Sequence, residues 1–202
     1  MNIKKLFISA ALMLAAFASV ANAQEKKYIE PLEEGVKQRI RDWQDQKFGL
    51  FIHWGTYSVT GVIESWSLDP RHIEWCYKFR PQDMSYEEYV RSYENLITQF
   101  NPVSFDPETW AKAAKYAGMK YMVFTTKHHD GFSMFDTQQN DYKITSDRCP
   151  FHTSPKANIA KELFDAFRAE GIMPGAYFSI ADWYNDDYWW DYFPTKDASP
   201  NY

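Results

Sequence analysis

Two adjacent histidines, His128 and His129, stand where an apolar run gives way to a loop. Imidazole can give and accept hydrogen bonds, carry a proton near neutral pH or ligate a metal, so the placement of this pair decides which chemistry is open. The preceding Tyr121-Met122-Val123-Phe124-Thr125-Thr126 reads as a strand apolar on both faces, and Lys127-His128-His129-Asp130-Gly131-Phe132 comes directly after it. Successive side chains of a strand point to opposite faces. The two rings therefore share a pocket only if the strand ends at them, as Gly131 suggests. His53 and Trp54 end a second apolar run, and Asp182 and Trp183 lie just past a third that carries Tyr177. The carboxyl ends of parallel strands are where open α/β sheets bind ligands and where barrels gather catalytic residues.

Three chemistries compete for such a set. His53, His128 and His129 with Asp130 or Asp182 would make a nitrogen and oxygen set suited to zinc. The spacing argues against it: there is no His-x-His, no His-x-x-x-His on a helix, and no carboxylate cluster beside the imidazoles. A nucleophilic triad lacks its Gly-x-Ser-x-Gly elbow, neither cysteine has a base beside it, and Ser179 at a strand end is a weak candidate. A sugar pocket uses the residue types present, with neutral imidazoles bonding hydroxyls while an indole covers the apolar face of a ring. No metal or other cofactor is expected. Asp130 is expected to orient a histidine or shape the turn, and Asp182 to cap the segment after the third strand.

These side chains need elements to position them. Glu33 to Gln46 has helical spacing, with Val36, Ile40 and Trp43 on one face, and Lys47 to Gly55 reads as a short strand ended by glycine. Residues 56 to 84 are irregular and rich in aromatics and proline. Ser85 and Glu88 form a capping box for a helix carrying Tyr89, Tyr93 and Leu96 on one side. Asp106 caps a second helix, Pro107 opens it and Gly118 stops it, with Trp110, Ala113, Ala114 and Ala117 as its expected packing stripe. After a loop from Asp136 to Pro155, residues 158 to 170 form another helix with Ile159, Leu163 and Phe167 inward. A third strand runs from Met173 to Ile180. Strand, helical excursion, strand, helix, strand is the order of parallel βα units.

Lys4 and Lys5, the apolar stretch from Leu6 to Val20 and Ala21-Asn22-Ala23 fit a secretory signal cleaved after Ala23, which leaves residues 24 to 202 as one domain. The apolar run is too short for a membrane anchor, and export to the periplasm or the medium is the expected fate. The net charge of −5 carries no block of one sign, so nucleic acid and anionic lipid are unsuited partners. Cys76 and Cys149, far apart in sequence, are expected as separate thiols. The 8 tryptophans, 14 tyrosines and 15 phenylalanines suit a sugar site, although aromatics also dominate ordinary cores.

The segments Lys47 to Val59 and Tyr121 to Phe132 closely resemble those of the α-L-fucosidases of glycoside hydrolase family 29. Glu74-Trp75, Phe105-Asp106-Pro107, Gly175-Ala176-Tyr177-Phe178-Ser179 and Asp182-Trp183 fall in the same order and at similar spacing, so the resemblance covers residues 38 to 183. It implies a TIM-type (β/α)8 barrel, of which this chain holds the amino-terminal portion, since a full barrel takes about 250 residues. It implies retaining hydrolysis of terminal α-linked fucose from glycans, with His53, Glu74, Trp75, His128, His129 and Tyr177 lining the fucose subsite. Cys76 and Phe178 depart from the tyrosines common in the family at those places, and the second departure bears on Tyr177. Such a reaction needs two carboxyl groups about 5 Å apart. By the resemblance both lie beyond Tyr202, so the 202-residue chain alone is expected to be inactive. A non-catalytic fucose-binding remnant and a metal-dependent hydrolase are the alternatives.

Overall fold

The computed structural model describes residues 29–69, 76 and 79–185. The expected signal segment and the pair Glu74 and Trp75 lie outside the described residues. The chain divides into two units at Asp45. In the first, helix α1 (Glu34–Asp45) fully buries no residue; on the expected face Val36 and Ile40 are partly buried, while Trp43 is 55% exposed.

The second unit is built on a parallel sheet of β1 (Gly49–Ile52), β2 (Tyr121–Lys127) and β3 (Met173–Phe178), in the order β1-β2-β3. Gly49 pairs with Tyr121 and Tyr121 with Met173, so all three strands start level and end at one edge. Threonines finish the ladder there. Thr125 Oγ1 accepts the Trp54 N–H at 3.0 Å, and the Thr126 hydroxyl donates to the Tyr177 carbonyl at 2.9 Å. The first holds β1 against the central strand after its regular pairing has stopped, and the second bridges the register shift between Thr125 and Lys127 in the pairing with β3.

The helices start where their caps dictate. Helix α2 (Tyr86–Glu94) has the complete capping box, Ser85 and Glu88 each taking the other's backbone N–H. Helix α3 (Pro107–Tyr116) begins on Asp106, which accepts both the N–H and the hydroxyl of Thr109, and Gly118 ends it at φ 85. Its buried face is Pro107, Ala111 and Ala114, with Ala113 and Ala117 exposed, so the expected stripe is rotated. Trp110 draws the periodicity towards the wrong register because its large ring packs from the flank. Helix α4 (Ile159–Ala169) buries Ile159, Leu163 and Phe167 as its spacing requires.

Met122 and Phe124 of β2 meet α3 and α4 in a core shared with Phe132, Met134, Tyr142 and Ile144. Those last four belong to the long excursion after β2, which is a packed layer tied to the strand by Met134 N–H to Thr126 O at 2.8 Å. Each such side chain removed from water stabilises the fold by roughly 1.5–3 kcal/mol. A second cluster of Tyr57, Leu68, Tyr89, Tyr93 and Leu96 sits under the loop after β1. Cys76 and Cys149 are both buried, and no disulfide joins them. No helix among the described residues is long and apolar enough to cross a membrane.

Candidate sugar-binding site

Parallel pairing places the residues after each strand on one rim, and there the imidazoles converge. The ring centroids of His53 and His128 are 4.7 Å apart, and those of His128 and His129 are 4.2 Å apart. Tyr177 of β3 stacks on His128 with centroids 5.8 Å apart and planes 22° from parallel. Four of the six expected site residues thus share one pocket. Trp54 does not join them. Its ring turns into the core among Phe100, Phe105 and Trp110, so any indole at this rim comes from elsewhere in the chain.

It comes from Trp66 and Trp183. Their rings lie 5.1 and 4.9 Å from His129 and 5.6 Å from one another, a corner of two indoles over one imidazole. Glu64 enters beside them, its carboxylate 3.2 Å from His53 Nε2 and 3.9 Å from His128 Nε2. Sequence reasoning missed Glu64 and Trp66. The signal available was Glu64-Ser65-Trp66, an acid and an indole soon after His53, but this aperiodic segment gave no face to assign them to. Glu64 adopts φ 53, a left-handed conformation that costs a non-glycine residue roughly 1–2 kcal/mol. Strain of this kind concentrates where a side chain must be aimed.

Each ring is oriented through Nδ1. His53 Nδ1 lies 2.7 Å from the Tyr57 hydroxyl, His128 Nδ1 bonds the Ser65 hydroxyl, and His129 Nδ1 lies 2.6 Å from Ser179 Oγ. The Ser179 hydroxyl donates to the Ala181 carbonyl at 2.7 Å, so it receives the Nδ1–H of His129. That assigns the tautomer and leaves His129 Nε2 with a bare lone pair. Burial, then the neighbouring His129 and His53, lowers the pKa of His128 from 6.5 to about 3. His129 is lowered by burial, His53 and Lys127, and His53 by burial against the opposing pull of Glu64. Three rings this close cannot all carry charge.

The two aspartates point elsewhere. Asp130 accepts the Tyr93 hydroxyl at 2.8 Å and the Phe132 N–H at 3.2 Å, closing the turn behind the histidines. Its burial raises its pKa to about 6. Asp182 pairs with Lys127 at 2.7 Å and accepts the N–H groups of Tyr184 and Asn185, so it ties the loop after β3 to the end of β2. Both fill the turn-shaping roles expected of them. Among the described residues the one three-ligand group suited to a metal is His53, Glu64 and His128, whose ligand atoms all lie within 4.8 Å of one another. Neutral imidazoles, a carboxylate, a phenol and two indoles together can bond a ring of hydroxyls and cover its apolar flank.

Comparison with known proteins gives a consistent set. The family described as Alpha-L-fucosidase matches residues 15–202. Tissue alpha-L-fucosidase of Macaca fascicularis is 33% identical over 186 residues, covering 88% of this chain and 37% of its own length, and the human tissue enzyme matches to the same extent. Alpha-L-fucosidase isoenzyme 1 from Paenibacillus thiaminolyticus superposes with a TM-score of 0.59 at 44% identity, over 75% of this chain and 31% of that one. A family 29 alpha-L-fucosidase from Bacteroides thetaiotaomicron gives 0.59 at 30% identity, over 82% and 33%. The chain spans about a third of the length of these relatives.

Proposed function

The chain belongs to the alpha-L-fucosidase family, and from that premise we propose that its pocket is the fucose-binding part of a retaining exo-fucosidase. The observation that carries this reading is the convergence of His53, His128 and His129 with Glu64 and Tyr177 on one sheet rim. A deoxysugar presents hydroxyls on part of its ring and a methyl group on another. Neutral imidazole nitrogens and a carboxylate suit the hydroxyls; the Trp66 and Trp183 corner suits the methyl and ring carbons. A pocket kept neutral at its histidines discriminates by hydrogen bonds, because a ligand lacking one hydroxyl leaves a buried polar group unpaired.

Relatives support the substrate class. Structures of the Lactobacillus casei enzyme AlfC hold α-L-fucose, a nitrophenyl fucoside or Fuca(1,6)GlcNAc, and a covalent intermediate has been trapped on the Bacteroides thetaiotaomicron enzyme with a 2-fluoro-fucosyl fluoride. A covalent intermediate is the mark of double displacement, in which one carboxylate attacks the anomeric carbon and another protonates the leaving oxygen. Both carboxylates are assigned to later strands of the (β/α)8 barrel of which β1 to β3 form part. Glu74 and Trp75 keep their assignment to the subsite edge. Residues 1–23 direct export, and the mature protein starts at Gln24 in the periplasm or outside the cell.

The test is release of nitrophenol from an aryl α-L-fucoside by the full-length protein, with retention followed by NMR of the first-formed anomer. Turnover with retention is expected. A folded full-length protein that cleaves no α-L-fucoside, or inverts, overturns the reading.

A further inference from the structure

The expectation of no metal rests on ligand spacing and on the lack of a carboxylate cluster beside the imidazoles, and Glu64 places one carboxylate there. We propose that His53, Glu64 and His128 form a binding site for a single zinc ion, with Nε2 of each ring and the Glu64 carboxylate as its protein ligands. The ligand atoms are already gathered: Glu64 lies 3.2 Å from one Nε2 and 3.9 Å from the other. Zinc bonds nitrogen and oxygen at about 2.0–2.2 Å, which puts the ligands of a tetrahedral site about 3.4 Å apart. The three ligand atoms lie within 4.8 Å of one another, so closing the set takes small rotations of the two rings together with Glu64, whose side chain is a third exposed and has room to turn.

The surroundings meet a further demand of such a site. Metal-ligating histidines are oriented by a hydrogen bond on the other ring nitrogen. Both rings have one, His53 through Tyr57 and His128 through Ser65. Each partner is a hydroxyl, which accepts as readily as it donates. The Nδ1–H that a ring must carry once Nε2 is metallated therefore keeps its acceptor. Two imidazoles and one carboxylate with a position left open match the ligand set zinc takes in exchangeable sites, where water completes the shell. His129, with Nδ1 on Ser179, stands outside the triad.

One consequence rests on the fucose reading. The Nε2 atoms that would hold zinc are those assigned to sugar hydroxyls, so zinc and fucose exclude one another, and zinc acts as a competitive inhibitor. The experiment uses the full-length protein freed of metal by dialysis against a chelator. Zinc is titrated in competition with a chromophoric chelator, and zinc-edge anomalous diffraction is collected from crystals soaked in zinc. One equivalent per chain is expected, with the anomalous peak between the two Nε2 atoms and Glu64. Ser65→Ala removes an orienting hydroxyl and no ligand, and weakens zinc binding about 10- to 100-fold. Glu64→Gln weakens it further, and His152→Ala, remote from the pocket, leaves it unchanged. An anomalous peak missing from the triad in unmodified crystals, or zinc uptake indifferent to Glu64→Gln in a protein of native circular dichroism, overturns the proposal. Zinc held at the triad and not displaced by L-fucose supports the metal site and counts against the sugar reading.

Discussion

His128 and Asp130 are two residues apart, and burial acts on them with opposite sign. A histidine whose pKa falls from 6.5 to about 3 on folding binds fewer protons in the native state than in the unfolded chain between those values. Its contribution is fully present above pH 6.5 and drains as pH falls towards 3. Asp130, raised from 3.8 to about 6, contributes fully below 3.8 and loses that contribution as pH rises through 6. Denaturant unfolding at a series of pH values should therefore show a flatter acid loss for His128→Asn and a steeper one for Asp130→Asn. Equal slopes in all three proteins would contradict this account of the pocket's protonation. Glu64 makes a separate prediction. A hydrogen bond from a charged group contributes about 1.5–3 kcal/mol, so Glu64→Gln should weaken L-fucose binding about 10- to 150-fold, read by tryptophan fluorescence.

Elements hold the pocket through a few turns whose chemistry is exacting. Gly131 sits at φ 78 behind the paired histidines, and a Cβ there would collide with the Asp182 carboxylate and crowd Tyr184 Cβ at 2.7 Å. Gly131→Ala should therefore displace the loop after β3 and abolish sugar binding, with melting temperature and fluorescence titration as the readouts. Lys127 and Asp182 are both largely buried, and their pair spans the ends of β2 and β3. Breaking it with Lys127→Met leaves a buried carboxylate without its counter-ion and should cost about 3–5 kcal/mol, while Lys127→Met with Asp182→Leu recovers part of that loss. Asp106→Ala, by contrast, removes only a helix cap and should cost about 1 kcal/mol with sugar binding unchanged. The caps were legible because Ser85 and Asp106 act on N–H groups three residues away, whereas Asn158, read as the first residue of its helix, is in fact the cap. The Lys127–Asp182 pair was not, because 55 residues separate its members.

At the scale of the molecule, the described sheet has β1 and β3 at its margins, with Phe51 and Phe178 more than half exposed and Ile180 88% exposed. Unpaired parallel edges with apolar side chains seek partners. The chain expressed on its own is expected to self-associate through these edges, which size-exclusion chromatography with static light scattering reads. A monodisperse, stable monomer would show that the edges need no partner.

What the sequence determined by itself was local: where strands stop, which residues cap helices, and that His53, His128, His129 and Tyr177 share a rim, since parallel βα order puts every strand end on one side. The family was legible from motifs of the same short range. Only the tertiary structure decided that Trp54 faces the core while Trp66 and Trp183 cover His129, and that Glu64 enters between two imidazoles. Most of those contacts join segments far apart in the chain: Trp54 packs on the main core, and Trp183 on the second cluster under the loop after β1. No periodicity within that loop records them.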